Sequence, residues 1–222
     1  MQVTSPTLVV ERWGLVPYDT ALERQLAAVQ RRREEATPDT LILVEHPPVY
    51  TVGVRKDAAR HLLWDEAALE AAGITVHPTN RGGDITYHGP GQLVGYPVVS
   101  LRERRDLHAY LRALEDVLIH AVGRFGLVAD RREGLTGIWC GERKIAAIGV
   151  AVKSWITYHG FALNIAPDLS HFTGIVPCGI GSEQGSVTSM ERELGEAPVW
   201  PRVEAAVVRA FREVFGYGTH VA

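Results

Sequence analysis

The chain has 222 residues, 46% of them hydrophobic and 22% charged, which is enough to fill one substantial domain and is not the composition of a disordered chain. A formal net charge of −3 at pH 7 argues against broad binding to nucleic acid, and the short basic runs Arg31 to Arg33 and Arg102 to Arg105 read as solvated faces. No apolar run is long enough for a membrane span, and the first residues, MQVTSPTLVVERW, lack the basic and apolar regions of a secretory signal. A cytoplasmic protein is therefore expected, one in which Cys140 and Cys178 remain thiols.

In chain order, Leu8 to Trp13 reads as a strand, and Tyr18 to Glu35 as an amphipathic helix presenting Leu22, Leu26 and Val29 on one face. Thr40 to Glu45 is a buried strand, broken by His46-Pro47-Pro48 because neither proline can donate to a ladder, and Val49 to Val52 resumes the extended pattern. Asp65 to Ala72 forms a short helix closed by Gly73, and Ile74 to His77 a further strand. Gln92 to Leu101 is β-prone, while Leu107, Leu111, Leu114 and Leu118 mark one face of a helix from Asp106 to Phe125. Gly137 to Cys140, Arg143 to Lys153 and Ile156 to Ile165 then read as an antiparallel meander. Asp168 to Gly185 has loop composition, followed by helices at Val187 to Leu194 and Arg202 to Phe215. Strands outnumber helices and several adjoin directly, so a single α+β domain over residues 1–222, with a mixed sheet, fits better than a doubly wound parallel one.

The segment RGGDITYHGPGQ, residues 81–92, carries the densest information. Glycines on both sides of the β-prone core Ile85-Thr86-Tyr87 indicate a pocket lined by backbone, because glycine permits positive φ and close approach to the main chain. Arg81 can anchor the loop or an anion, and His88 can move protons near neutral pH. Cys178, in Val176-Pro177-Cys178-Gly179, is the leading nucleophile, since the following glycine leaves a bare N–H where an oxyanion would form. A thiol with a pKa of about 8.5 is only about 3% thiolate at pH 7, so it needs help. Lys144, at the head of the apolar strand KIAAIGVAV, can provide it, and His88 and His159 are rival bases. Cys140, beside Trp139 on a strand, reads as a buried structural thiol. GxGxxG, GxxxxGK[ST], HExxH, CxxC and GxSxG spacings are all missing, so neither a dinucleotide site, a phosphate loop, a zinc site nor a serine elbow is expected.

Four segments fall in an informative order: RGGDITYHGPGQLVGYP at 81–97, GERKIAAIG at 141–149, HGFALNI at 159–165 and PCGI at 177–180. Together they resemble the lipoyl(octanoyl) transferase family, which moves an octanoyl group from acyl carrier protein to a lysine of a lipoyl domain. The resemblance implies a biotin/lipoate protein ligase-like α/β fold with a mixed, largely antiparallel sheet flanked by helices. It implies that Cys178 carries the acyl group as a thioester and that Lys144 tunes the thiol or takes up its proton. By motif, Arg81, Gly82, Gly83, Asp84, Ile85, Thr86, Tyr87, His88, Ala147, Ile148, Gly149, Gly160, Phe161 and Ala162 would bind substrate, although Asp84 stands where the family varies and is given no chemistry. No cofactor or metal is implied. The partners implied are octanoyl-acyl carrier protein as donor, with lipoyl domains of 2-oxoacid dehydrogenase complexes and the glycine cleavage H protein as acceptors. The alternatives are an ATP-dependent lipoate or biotin ligase on the same fold, an amidotransferase between lipoyl-carrying proteins, and a non-catalytic binder of acyl carrier protein.

Overall fold

In the computed structural model, residues 6–176 and 185–218 are described. The strand β1 (Leu8–Leu15) lies parallel to β2 (Asp39–Glu45), with the helix α1 (Tyr18–Arg33) between them in sequence. At His46-Pro47-Pro48 the chain leaves this sheet, and β3 (Val49–Val52) belongs to a second, three-stranded one. There β3 pairs in parallel with β4 (Thr75–Pro78) and antiparallel with β5 (Ile85–His88). The prolines thus do more than interrupt a strand, since the break in donors is where the polypeptide changes layers.

The large sheet continues through β6 (Gln92–Val98), β7 (Ile138–Cys140), β8 (Arg143–Lys153), β9 (Ile156–Asn164) and β10 (Ser186–Val187). Its path runs β1, β2, β6, β9, β8, β10, with β7 paired to β8. The pairings from β2 through β6 and β9 to β8 are antiparallel, as is β7 with β8, and the two end pairings are parallel, which is the mixed sheet expected from the strand-rich sequence. One face packs on α3 (Leu107–Gly123) and α5 (Trp200–Phe215) through Leu114, Leu118, Val207 and Phe211. The other packs on α1 through Ala21, Ala28 and Val29.

Local chemistry sets several boundaries where the sequence placed them. Asp65 accepts the Ala68 N–H to start α2 (Glu66–Ala72), and Gly73 closes it at φ 63°. Asp106 caps α3 through the Ala109 N–H. Other expectations are corrected. Of the face of α1 expected from Leu22, Leu26 and Val29, Val29 is buried as expected, but Leu22 is only partly buried and Leu26 is exposed, and Ala21, Gln25 and Ala28 face the sheet instead. Small side chains let the helix sit close to β6 and β9, where Gln25 Oε1 accepts the His159 N–H at 3.0 Å. The helix expected at Val187 to Leu194 is the strand β10 followed by only α4 (Met190–Leu194), because Val187 pairs with Lys144 before Ser189 caps the turn through the Arg192 N–H. The strand expected through Leu101 ends at Val98, with Ser100 making an isolated bridge to Ile156.

Candidate active site

The turn at residues 81–84 is held on both sides by backbone. Gly53, Val54 and Arg55 donate to the carbonyls of Asp84, Arg81 and Gly83, and Gly82 donates to Val150 on β8 at 2.8 Å. The glycines are required by this closeness. A Cβ on Gly53 would lie 2.3 Å from the Gly83 oxygen, and one on Gly149 would lie 2.8 Å from the Gly82 oxygen and 3.2 Å from Arg81 Cδ. Arg81 is buried and donates to Thr51 Oγ1, to the Thr51 carbonyl at 2.6 Å and to the Gly82 carbonyl at 3.1 Å, so it anchors the loop to β3.

Behind this turn lies a cavity of about 310 Å³. Arg81, Gly82, Gly83, Asp84, Thr86, His88, Lys144, Ala147, Ile148, Gly149, Gly160, Phe161 and Ala162 all line it, so residues 78 positions apart in sequence and more meet in one place. Ile85 and Tyr87 do not. Alternation along β5 sends them into a separate apolar cluster with Tyr50 and Phe172, where the Tyr87 hydroxyl and His171 Nδ1 share a hydrogen bond of 2.7 Å. Asp84 is almost wholly buried and has a job after all: Oδ1 accepts from His61 Nδ1 and the Ile85 N–H, each at 2.7 Å, and Arg55 stands 3.4 Å from Oδ2. Cavity residues that sequence reasoning missed include Tyr18, Val94, Tyr96 and Leu135. Leu107 and Leu111, read as core from their helical spacing, also border it, and Leu107 is part-exposed for that reason.

Lys144 owes its direction to a bulge. Ile138 pairs with Ala146 but Trp139 pairs with Lys144, so Ile145 is an extra residue on β8. The extra residue shifts the alternation and puts Lys144 on the same face as Ala147 and Gly149. The lysine is buried, its Nζ lies 5.0 Å from the centre of the Trp139 ring, and among the described residues Nζ has no hydrogen-bond or ion-pair partner. β10 runs beside it, with Val187 opposite Lys144. Cys178 lies outside the described residues. Cys140 is a buried free thiol pushed up to about 11, first by burial and then by the Glu193 carboxylate, so the structural reading of it holds.

The two histidines are poor proton acceptors. His88 is lowered to about 3, chiefly by burial and then by His46, and His159 to about 4, chiefly by burial and then by the Arg81 charge. Gln92 donates its amide to Asn164 Oδ1 at 2.8 Å and to the Tyr87 carbonyl at 3.2 Å, which turns its oxygen toward His88 Nδ1 at 2.7 Å. The His88 Nδ1 therefore carries the proton of a neutral imidazole. His159 Nε2 is 2.9 Å from Asn80 Oδ1, and the Asn80 amide donates to the Tyr158 hydroxyl. Lys144, by contrast, borders the cavity with no hydrogen-bond or ion-pair partner among the described residues. Among those residues there is also no cluster of ligands suited to a metal, and no helix is long and apolar enough to cross a membrane.

The mixed, largely antiparallel sheet flanked by helices has the fold of the lipoate and biotin protein ligases. Lipoate-protein ligase A bound with ATP superposes with a TM-score of 0.75 at 17% identity, covering 99% of this chain and 89% of that one. The biotin protein ligase of Aquifex aeolicus gives 0.56 at 12% identity, covering 95% and 70%. Residues 17–212 match the lipoyl protein ligase A/B catalytic domain, and the octanoyltransferase of Gloeobacter violaceus is 50% identical over 89% of this chain and 87% of its own. The chain belongs to the lipoyl protein ligase A/B catalytic-domain family and, within it, to the octanoyltransferases.

Proposed function

We propose that this acyltransferase takes an octanoyl group from octanoyl-acyl carrier protein, holds it as a thioester on Cys178 and passes it to a lysine of a lipoyl domain. Membership of the octanoyltransferases makes octanoyl transfer in protein lipoylation its activity. The observation that carries the rest is Lys144, a buried ammonium with no acceptor among the described residues, facing a cavity walled by Ala147, Gly149, Val94 and Ala162. A buried cation of this kind calls for an anionic or transiently anionic partner, and a cysteine thiolate is one.

In the first half-reaction the Cys178 thiolate attacks the thioester carbonyl, a C–S bond forms to the enzyme, the carrier's C–S bond breaks, and the departing carrier thiolate takes a proton from the Lys144 ammonium. In the second, the acceptor lysine enters as a neutral amine, its nitrogen attacks the acyl-enzyme carbonyl, the proton it loses passes to the now neutral Lys144, and the bond to sulfur breaks to restore the Cys178 thiolate. Main-chain N–H groups hold the oxyanion in both steps. His88, neutral and tied to Gln92, orients the cavity wall and is not the principal base. Burying an eight-carbon chain at about 0.8 kcal/mol per methylene contributes roughly 5 kcal/mol, enough to make chain length matter. The acceptors on this reading are lipoyl domains of 2-oxoacid dehydrogenase complexes and the glycine cleavage H protein.

The test is transfer from octanoyl-acyl carrier protein to a lipoyl domain without ATP, with the pH dependence of Cys178 alkylation measured alongside. Turnover without ATP and a higher alkylation midpoint in Lys144→Met are expected. A requirement for ATP would replace this reading by a ligase, and an unchanged midpoint would remove Lys144 from the thiol.

A further inference from the structure

Trp139 is the largest fully buried side chain among the described residues, at 1% exposure, and the transfer chemistry above gives it no part. Its neighbours Ile138 and Cys140 point into the core beneath α3 and α5. Alternation turns the indole to the opposite face of β7, where its cross-strand partner on β8 is Lys144.

Both backbones are fixed. Trp139 and Asp130 exchange two hydrogen bonds, of 2.8 and 2.9 Å, and the Lys144 carbonyl accepts the Thr188 N–H at 2.9 Å. The lysine stem passes so close to Gly137 that a Cβ there would lie 2.8 Å from Cε. With backbone and stem held, the direction of the head depends on what the ammonium meets. Among the described residues that is the indole, whose centre is 5.0 Å from Nζ. Lys144 lines the cavity and Trp139 does not, so the ring stands behind the ammonium.

The face of an aromatic ring carries the negative part of its quadrupole and attracts a cation within about 6 Å, most strongly for an indole and where water is excluded. Filling space does not by itself call for an indole at this position. Its Nε1–H is buried with no hydrogen-bond partner among the described residues, a cost that a purely apolar side chain would avoid.

We propose that Trp139 is a positioning residue for acyl transfer, the face of its indole holding the Lys144 ammonium at the edge of the cavity. This rests on the role given to Lys144 above. Because the attraction is electrostatic, withdrawing π-electron density from the ring weakens it while the shape stays nearly the same.

The experiment places tryptophans carrying one, two and three fluorines at position 139 alone, and measures steady-state octanoyl transfer to a lipoyl domain with a thermal melt on each sample. The value of kcat should fall stepwise with each fluorine, and Trp139→Phe should lie between the wild type and Trp139→Leu. Loss of the aromatic face in Trp139→Leu should lower kcat roughly five- to thirtyfold, with KM within about twofold. Equal kcat across the folded fluorinated series overturns the proposal, as does Trp139→Leu matching Trp139→Phe if the fluorinated proteins do not fold. Lys144→Met, measured alongside, separates the two readings. A slow Lys144→Met with a flat series overturns the role of Trp139 alone, whereas a Lys144→Met as fast as the wild type overturns the role of Lys144 and that of Trp139 with it.

Discussion

Gly137 is where a single methyl group should separate the placement of Lys144 from the stability of the fold. Its φ is 124°, and a Cβ there would lie 2.4 Å from the Ala146 oxygen and 2.8 Å from Lys144 Cε. The backbone cannot readily retreat, because the Gly137 N–H donates to Glu115 Oε1 at 3.1 Å and Glu115 is itself buried between Arg112 and Arg131. Restoring an ordinary contact of 3.4 Å requires the lysine stem to move by about 0.6 Å, the difference between 3.4 and 2.8. A misplacement of about 1 Å can cost a hundredfold in rate, so Gly137→Ala should lower kcat by roughly tenfold or more with a smaller change in KM. Backbone strain of about 1–3 kcal/mol should also lower Tm, by roughly 2–12 °C at 2–4 °C per kcal/mol. Steady-state transfer at a temperature well below the variant's Tm, with a thermal melt on the same sample, makes the check. A folded Gly137→Ala enzyme with kcat within twofold of the wild type would refute the claim that this seat positions the lysine.

His88 and His159, at about 3 and 4, stay neutral in the folded state while the unfolded chain takes up protons below about 6.5, so stability is whole above 6.5 and falls as pH drops. Each should cost up to about 2 kcal/mol between pH 6.5 and pH 5, seen as a lower urea midpoint; an equal midpoint at pH 7 and pH 5 would contradict this. Cys140, raised to about 11, should resist iodoacetamide in the native protein, leaving one fast thiol at Cys178; rapid labelling of both would show that the burial argument fails. In Gly149→Leu the side chain collides with Gly82 and Arg81, and octanoyl transfer should fall at least tenfold; a normal rate would remove Gly149 from the cavity wall.

The antiparallel meander β7 to β9 could be read from alternation and its turns, and the 81–92 segment from its glycines, because both signals are local. What the sequence left hidden depends on long-range geometry. The bulge at Ile145 is invisible in KIAAIGVAV, which alternates poorly in any register, yet it decides that Lys144 enters the cavity. The buried face of α1 was misread because Leu22 and Leu26 outrank Ala21, Gln25 and Ala28 in hydrophobicity, whereas close packing on β9 selects the smaller residues and the Gln25 hydrogen bond. Asp84 gained a role only when His61, 23 residues earlier, was folded against it. Tyr18 looked like the start of a helix and also lines the cavity.

The central claim, that the acyl group passes through Cys178, is tested most directly by intact-protein mass spectrometry after mixing the enzyme with octanoyl-acyl carrier protein and no acceptor. The account predicts one octanoyl adduct on the wild type, lost on adding a lipoyl domain, and none on Cys178→Ser. No adduct on the wild type while transfer to a lipoyl domain proceeds, or an adduct that persists in Cys178→Ser, would contradict it.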